Sequence, residues 1–367
     1  MNGGRLGHYA IMIRLTLAVA ALLSSTLPTL AQMTFYPALS GRAEAPMVTV
    51  YSSLDAPINA PMIKAFQTAN PDVAVRYEDM LTGEIYDRIV AETDAGLRTA
   101  DVAFSSAMDL QVKLANDGYA QQSDLSLSSS WPKWANWRNT AYALTFEPAV
   151  FVYHKPSFSD VAPPQTRGEL IAYLKAHADS QHGQFGTYDI ERAGVGFLFL
   201  SRDQEQYPDI WDLVQALGAA GVKLYSTTSA IVERVSDGRF VLGYNILGSY
   251  AADWAKRNPD LGIILPQDYT VVMARIGLVP KAATAPELGR KYLEFFMSAA
   301  GQRVLAEDMA IAAINPAVTG DNTANAMRAA LGGQLRPVPV GPGLMVYLDQ
   351  VKRSRLIDRW NETLRAP

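Results

Sequence analysis

The sequence predicts an α/β protein with two lobes, each built on a doubly wound sheet. Short apolar runs rich in β-branched residues alternate with helical segments over residues 48–114 and again over 166–265. This alternation is typical of a parallel sheet with helices on its faces. Two long strand-like segments, around residues 143–154 and 267–280, lie between the two regions. We expect them to be hinge strands, because a chain that crosses twice between lobes allows the lobes to close.

In the first region, each of three short strands is followed by a helix. The run VTVY at 48–51 precedes a helical segment, residues 56–69, which ends at Asn70-Pro71 because proline stops a helix. The elements that follow are a strand at 73–77 (VAVRY), a helix at 82–92, a strand at 101–104 (DVAF) and a helix carrying Leu110, Val112 and Leu114.

The second region has the same character. Thr166 and Glu169 form the capping box of a helix over 166–176. Later segments are predicted as helix at 207–217, strand at 241–244, helix at 245–255, strand at 261–265, a long strand at 269–279, helices at 286–297 and 300–307, and an amphipathic helix at 344–364. From this order we predict lobe 1 from residues 32–149 and 267–367, and lobe 2 from residues 150–266.

Residues 1–31 have the pattern of a signal peptide. Arg5 and Arg14 precede the apolar run LTLAVAALL at 15–23, and small or turn-forming residues follow up to Ala31. The run is too short to span a bilayer, although a single-pass anchor is the alternative. Met12 is a second possible start, because it gives a tighter basic segment. We therefore expect an exported protein of the periplasm.

Composition excludes several chemistries. The 367 residues contain no cysteine, so disulfides, thiol nucleophiles, cysteine-held metals and a lipid anchor on cysteine are all excluded. The net charge of −4 gives no basic face for nucleic acid. No GxSxG motif is present and no histidine follows a strand beside a candidate serine, so we predict that the protein is not an enzyme, with a hydrolase as the alternative.

The candidate ligand residues are those that follow the predicted strands, because ligands of open parallel sheets bind beyond the carboxyl ends of the strands. Hydroxyls and backbone amides at helix N-termini form an anion site, and the alternative is that these residues only cap helices. The candidates are Ser52, Ser53, Thr82, Gly83, Ser105 and Ser106 in lobe 1, and Tyr188, Asp189, Arg192, Asn245, Gly248, Ser249 and Tyr250 in lobe 2.

Four segments carry a resemblance to a known family: VTVYSSLD (48–55), ADVAFSSAMDLQVKLANDGY (100–119), GRFVLGYNILGSYA (238–251) and residues 278–307. Through them the chain resembles the periplasmic substrate-binding proteins of ABC importers. It is similar to the branch of ferric-iron-binding proteins, which has sugar-phosphate and phosphoglycerate binders as relatives. The resemblance implies the type II periplasmic-binding-protein fold, closure around a solute and docking on an inner-membrane permease.

Two ligand classes remain open. Ferric binders of this family resemble one another in an adjacent tyrosine pair near 245–250, whereas this chain has Ser249-Tyr250 and an isolated Tyr244. A ferric site would use Tyr250, Tyr244 and Asp55. The hydroxyl-rich loops favour a small anionic solute, an organophosphate or a carboxylate, with Arg192 as its charge partner. The alternative for Arg192 is a surface salt bridge with Glu191 or Asp189.

The expected partners are the solute, the permease and, as an alternative that the resemblance also allows, a membrane histidine kinase that senses the loaded protein. We expect a monomer without cofactors and without nucleic acid.

Overall fold

A computed structural model describes residues 32–126 and 131–366. The predicted signal peptide lies outside the described residues. Within them, no helix is long and apolar enough to cross a membrane. The described residues form an α/β structure with two sheets, as the sequence predicts, and each sheet has seven strands.

The first sheet has the strand order β1-β3-β2-β4-β13-β6-β5. Strands β2, β3 and β4 are parallel, whereas β13 runs antiparallel to both β4 and β6. Every residue of β4 is buried, as expected for a strand covered on both faces. The strands are β1 (Gln32–Tyr36), β2 (Met47–Ser52), β3 (Ala74–Asp79), β4 (Val102–Ser105), β5 (Asn136–Trp137), β6 (Ala141–Ala143) and β13 (Ile276–Leu278).

The second sheet has the order β14-β12-β7-β10-β8-β9, and β11 pairs with β7. Strand β7 is the longest, and it runs antiparallel to β10, β11 and β12. Strands β8, β9 and β10 are mutually parallel neighbours in the order β10-β8-β9. The strands are β7 (Glu147–His154), β8 (Phe185–Tyr188), β9 (Lys223–Tyr225), β10 (Leu242–Leu247), β11 (Leu261–Ile264), β12 (Thr270–Met273) and β14 (Leu335–Pro337).

Twelve α-helices are found among the described residues. Thr166 caps α4 as predicted, because its Oγ1 accepts a hydrogen bond from Glu169 N at 3.1 Å. The helices are α1 (Ala56–Ala69), α2 (Thr82–Asp94), α3 (Met108–Asn116), α4 (Arg167–His177), α5 (Gly194–Gln206), α6 (Ile210–Ala219), α7 (Thr228–Ser236), α8 (Gly248–Ala255), α9 (Pro286–Met297), α10 (Ala299–Glu307), α11 (Ala324–Leu331) and α12 (Gln350–Arg365).

Among the described residues the chain passes between the sheets three times: a long passage leads from β13 to β14, and two short segments are bonded to each other. Residues 144–146 lead from β6 to β7, and Ala274-Arg275 lead from β12 to β13. Leu144 N donates to Arg275 O at 2.9 Å, and Arg275 N donates to Thr145 Oγ1 at 2.7 Å. The predicted single strand over 269–279 is therefore two strands in different sheets, broken at Arg275.

Two other elements differ from the prediction. Asn245 does not open a helix but lies in β10, at an irregularity in the pairing with β7 between Gly243 and Ile246, and it has a positive φ of 58°. The predicted tail helix is a 3-10 turn (Pro342–Met345) followed by α12. The tail also adds β14 to the second sheet, and Arg359 of α12 stacks over Trp211 of α6.

Candidate functional site

The polar loops after β2 and β4 form one wall of the site. Ser52 and Ser105 serve the backbone, because their Oγ atoms accept from Leu54 N at 3.1 Å and Ala107 N at 3.2 Å. Ser53 and Ser106 instead point at each other, with their hydroxyls 3.2 Å apart. Of the four predicted serines, two thus bond the backbone of the turns that follow their strands, and the other two pair at the sheet edge.

Two carboxylates stand beside these serines, after β2 and at the end of β3. Asp79 Oδ2 accepts from Ala56 N at 3.3 Å and so caps α1, whereas the preceding residue, Asp55, makes no side-chain cap. Burial, together with the negative charge of Asp55, raises the pKa of Asp79 to about 6. The two carboxylates are therefore close enough to repel each other.

Asp55 reaches the loops that follow the strands of the second sheet. Tyr250 Oη donates to Asp55 Oδ1 at 2.6 Å, and Ser229 Oγ donates to Asp55 Oδ2 at 2.7 Å. A further bond joins the two sides, because Gly194 N donates to Thr82 Oγ1 at 3.0 Å. The N-terminal turns of α1 and α2 thus meet those of α5, α7 and α8 in one place.

Arg275 is the cation of this candidate site, although it is not among the residues predicted from the sequence. Its side chain is fully buried and forms an ion pair with Glu147, which is also fully buried, with Nε and Oε1 3.1 Å apart. Nη1 donates to Ser53 O at 3.2 Å, and the guanidinium carbon lies 5.8 Å from the centre of the Tyr250 ring. Nη2 is buried and has no hydrogen-bond partner among the described residues.

The candidate ligand residues predicted for lobe 2 lie in several different environments. Tyr188 Oη lies 2.5 Å from Thr228 Oγ1 at the start of α7, and burial raises the pKa of Tyr188. Gly248 packs against Pro148, and Ser249 Oγ donates to Glu147 Oε2. Gly248 and Ser249 therefore support the strand that carries Glu147.

Asp189 and Arg192 lie apart from Arg275. Asp189 Oδ1 accepts from Glu191 N at 3.0 Å, in the turn before α5. Arg192 is exposed and has no ion pair among the described residues, so the predicted alternative, a salt bridge with Glu191 or Asp189, is not formed there. It lines a small cavity of about 60 Å³ together with Gly83 and Asp109.

Asn245 and Tyr244 belong to a second buried network. Asp203 Oδ2 accepts from Tyr244 Oη at 2.7 Å and from Asn245 Nδ2 at 2.6 Å. Arg167 Nε donates to the same Tyr244 hydroxyl at 3.2 Å. The structure therefore brings Tyr250 and Asp55 together but binds Tyr244 elsewhere. Burial raises the pKa of Tyr244 and Tyr250 well above the ordinary value.

No group of three or more histidine, aspartate or glutamate side chains able to hold a metal ion occurs in the parts of the chain that the structure describes.

The signal that marks Arg275 is its place in the run YTVVMARIGLV, where it is the only charge among eleven residues. A charge in a buried strand requires a partner or a function. Asp79 gives a weaker signal, because it ends a strand beside another acid, Glu78, which pairs with Arg76 and Arg88.

Comparison with known proteins identifies the family. The family model described as bacterial extracellular solute-binding protein matches residues 61–329. The substrate-binding protein of the ABC transporter from Agrobacterium tumefaciens is 72% identical, with a TM-score of 0.91 over 92% of this chain and 100% of that one. No curated protein matches the chain in sequence.

More distant structures share the fold alone. The periplasmic binding protein AfuA from Actinobacillus pleuropneumoniae, with fructose-6-phosphate bound, is 14% identical, with a TM-score of 0.73 over 88% of this chain and 99% of that one. Iron-bound HitA from Pseudomonas aeruginosa is 16% identical, with a TM-score of 0.65 over 87% and 99%. They confirm the predicted type II periplasmic-binding-protein fold. The chain belongs to the bacterial extracellular solute-binding protein family, as its sequence motifs suggest, and it is a binding protein, not an enzyme.

Proposed function

We propose that the protein captures a small organic anion at Arg275 and delivers it to an ABC permease. The observation that carries the proposal is the free Nη2 of a fully buried guanidinium, flanked by Ser53 and Tyr250. A buried cationic donor without a partner is costly, and a carboxylate, phosphonate or phosphate oxygen would satisfy it.

Neighbouring groups suit the same anion. The hydroxyls of Ser53 and Ser106 are hydrogen-bond donors at the sheet edge. The N-termini of α1, α2, α5, α7 and α8 meet nearby, and each places a partial positive charge there. Several weak positive ends and one guanidinium therefore act on the same space.

Closure would use the two crossing segments as a hinge. The lobe boundaries predicted from the sequence stay a prediction, and we propose one refinement. Residues 335–337 and 350–365 would move with the second lobe, because β14 pairs with β12 and α12 packs on the second-sheet side. Tyr250, Ser229 and Gly194 would then join lobe 1 only in the closed state.

The relative from Agrobacterium tumefaciens supports the permease partner, because its description places it in an ABC transporter. The extracellular family supports export. A periplasmic location, a cleaved signal peptide ending at residue 31 and a form without lipid complete the proposal, and mass spectrometry of the secreted chain tests them. A cognate sensor kinase stays the alternative partner.

Thermal-shift and calorimetric titration with sugar phosphates, phosphoglycerate, phosphonates, amino acids and carboxylates tests the anion. Arg275→Lys keeps the positive charge but replaces the three guanidinium nitrogens, Nη2 among them, by a single ammonium. We therefore expect the affinity for the solute to fall about 10- to 100-fold. Arg192→Ala tests the alternative anion partner predicted from the sequence, because Arg192 is exposed and lines a small cavity with Gly83 and Asp109. The proposal fails if Arg192→Ala abolishes binding while Arg275→Lys leaves it intact.

Ferric iron is the second candidate, because Tyr250 Oη and Asp55 Oδ1 are already 2.6 Å apart. A phenolate and a carboxylate are hard oxygen ligands. Titration with ferric citrate would give a visible phenolate band in the wild type and none in Tyr250→Phe. If this band appears and no organic anion binds, ferric iron replaces the organic anion as the proposed solute.

A further inference from the structure

We propose that the solute also carries a positively charged amino group, and that Asp55 and Asp79 bind it. The transported molecule would then be a short zwitterion: an anionic group at Arg275 joined by a few carbons to an ammonium at the two carboxylates. This inference rests on the proposed function, because it concerns the other end of the same solute.

The two carboxylates are adjacent and remain accessible. Asp79 ends β3 and Asp55 follows β2, the strand paired with β3 in parallel. Both side chains are half-buried, in contrast to the fully buried Glu147. Neither carboxylate has an ion pair within 4.0 Å among the described residues.

The known partners of these carboxylates are neutral. Asp55 accepts from the hydroxyls of Tyr250 and Ser229, and Asp79 accepts from the backbone amide of Ala56. An ionised carboxylate has about four acceptor positions, so both retain capacity for an ammonium, which has three donors.

Charge balance is the stronger argument. One guanidinium, Arg275, faces three carboxylates: Glu147, which pairs with it directly, and Asp55 and Asp79. Counted over its side chains, this half-buried site has an excess of negative charge, which would repel a solute that carries only negative charge. An ammonium on the same molecule would neutralise that excess and leave the free Nη2 for the anionic group.

The distance between the two subsites limits the solute to a small molecule. Arg275 contacts Ser53, and Asp55 lies only two residues further along the chain. Tyr250 lies against both groups, with its ring centre 5.8 Å from the guanidinium carbon of Arg275 and its hydroxyl 2.6 Å from Asp55 Oδ1. The two subsites are therefore close together, and we propose a linker of two to four carbons between the charged groups.

Matched pairs of ligands test the inference. Isothermal titration at about pH 8 would compare β-alanine with propionate, δ-aminovalerate with valerate, and aminopropylphosphonate with propylphosphonate. For at least one pair, we expect the amino compound to bind the wild type about tenfold or more tightly than its partner without the amine. Propylamine, which lacks the anion, is the third arm.

The variants Asp79→Asn and Asp55→Asn give a signature that a structural role would not. The amino compound should bind about tenfold more weakly to each, while the plain anion should bind as well as or better than before, because a repulsive charge is gone. Asp72→Asn, which changes an exposed aspartate outside the cleft, is the matched control and should change neither.

Two outcomes would overturn the inference: plain anions that bind the wild type as tightly as their amino partners, or no binding of any amino anion at millimolar concentration. If plain anions bind and Arg275→Lys weakens them, the proposed function survives without the zwitterion. If propylamine binds as well as the amino anions and Arg275→Lys has no effect, the anion subsite itself is wrong.

Discussion

Two fully buried arginines, Arg167 and Arg275, differ in how far their hydrogen bonds are satisfied within the protein. Arg167 donates from Nε to Tyr244, from Nη1 to Asp268 and to Tyr269 O, and from Nη2 to Asp203, at 2.9–3.2 Å. Each of its three nitrogens is therefore bonded within the protein. Arg275 also has a buried counter-ion, Glu147, yet its Nη2 has no partner among the described residues. In the proposed function, the saturated charge of Arg167 holds the fold, whereas the unsaturated Nη2 of Arg275 binds the solute.

The largest effect should come from breaking the saturated network. Asp203→Ala removes the acceptor of Arg167, Tyr244, Asn245 and Tyr269. We expect the free energy of unfolding to fall by about 3–5 kcal/mol, because a buried cation loses its partner. Urea denaturation measures this. The rise in melting temperature on adding the solute should stay as in the wild type, and its loss would show that this network also binds ligand.

Neutralising the partner of Arg275 should cost less. Glu147→Gln keeps an oxygen for Arg275 and Thr145 but removes the charge, so we expect a loss of about 1.5–3 kcal/mol in unfolding free energy. Glu78→Gln is the matched control, because the arginines that pair with Glu78 are partly exposed. Equal losses of unfolding free energy in the two variants would mean that the burial of the Arg275–Glu147 pair does not increase its contribution to stability.

The pH dependence of stability should reveal the repulsion at the cleft. The pKa of Asp79 is raised from 3.8 to about 6, so the native state holds this proton more tightly than the unfolded chain. This contribution to stability is present below about pH 4 and is lost as pH rises through about 6. We expect Asp79→Asn to stabilise the solute-free protein near pH 8 by about 1 kcal/mol and to flatten the fall between these values.

Calorimetry of the wild type and Asp79→Asn from about pH 4 to pH 8 measures this difference. Asp109, whose pKa burial also raises to about 6, is present in both proteins and cancels in the comparison. A variant that is less stable than the wild type near pH 8 would show that the cap on α1 outweighs the repulsion.

The smallest effect should come from a single bond between the two sides. Thr82→Val removes the acceptor of Gly194 N, at a cost of about 0.5–1.5 kcal/mol to the closed state and therefore a two- to tenfold loss of solute affinity. Thr68→Val, on the exposed face of α1, makes the same change away from the cleft. Equal affinities of the two variants would contradict a role for this contact in closure.

Much of the fold could be predicted because alternation and caps are local signals. The bounds of α1, the cap at Thr166 and the order of strands and helices in the first region all follow from short-range patterns. The break at Arg275 could not be predicted in this way. An apolar run predicts a buried strand but does not indicate which sheet the strand joins. Only the tertiary structure determines where the chain changes sheets.

The site was predicted in part for the same reason. Ser53, Thr82 and Tyr250 follow strands, and the structure brings all three to the junction of the sheets. Asn245 follows a strand in the sequence, yet an irregular pairing in β10 with a positive φ turns it toward Asp203. Such irregularities depend on the partner strand and leave no local signature.

In the proposed closure, the position of Arg275 at a crossing affects how the solute is captured. A residue on the rotation axis hardly moves when the two lobes rotate. Tyr250 and Ser229 lie further from the axis, on the second-sheet side, and would move over a larger distance. The first docking point for the solute would thus be nearly the same in the open and closed protein. Capture would then take two steps: the solute would first bind quickly to Arg275, and the slower closure would then bring Tyr250 to the site. The rate at which this closure reverses would set the dissociation rate of the solute.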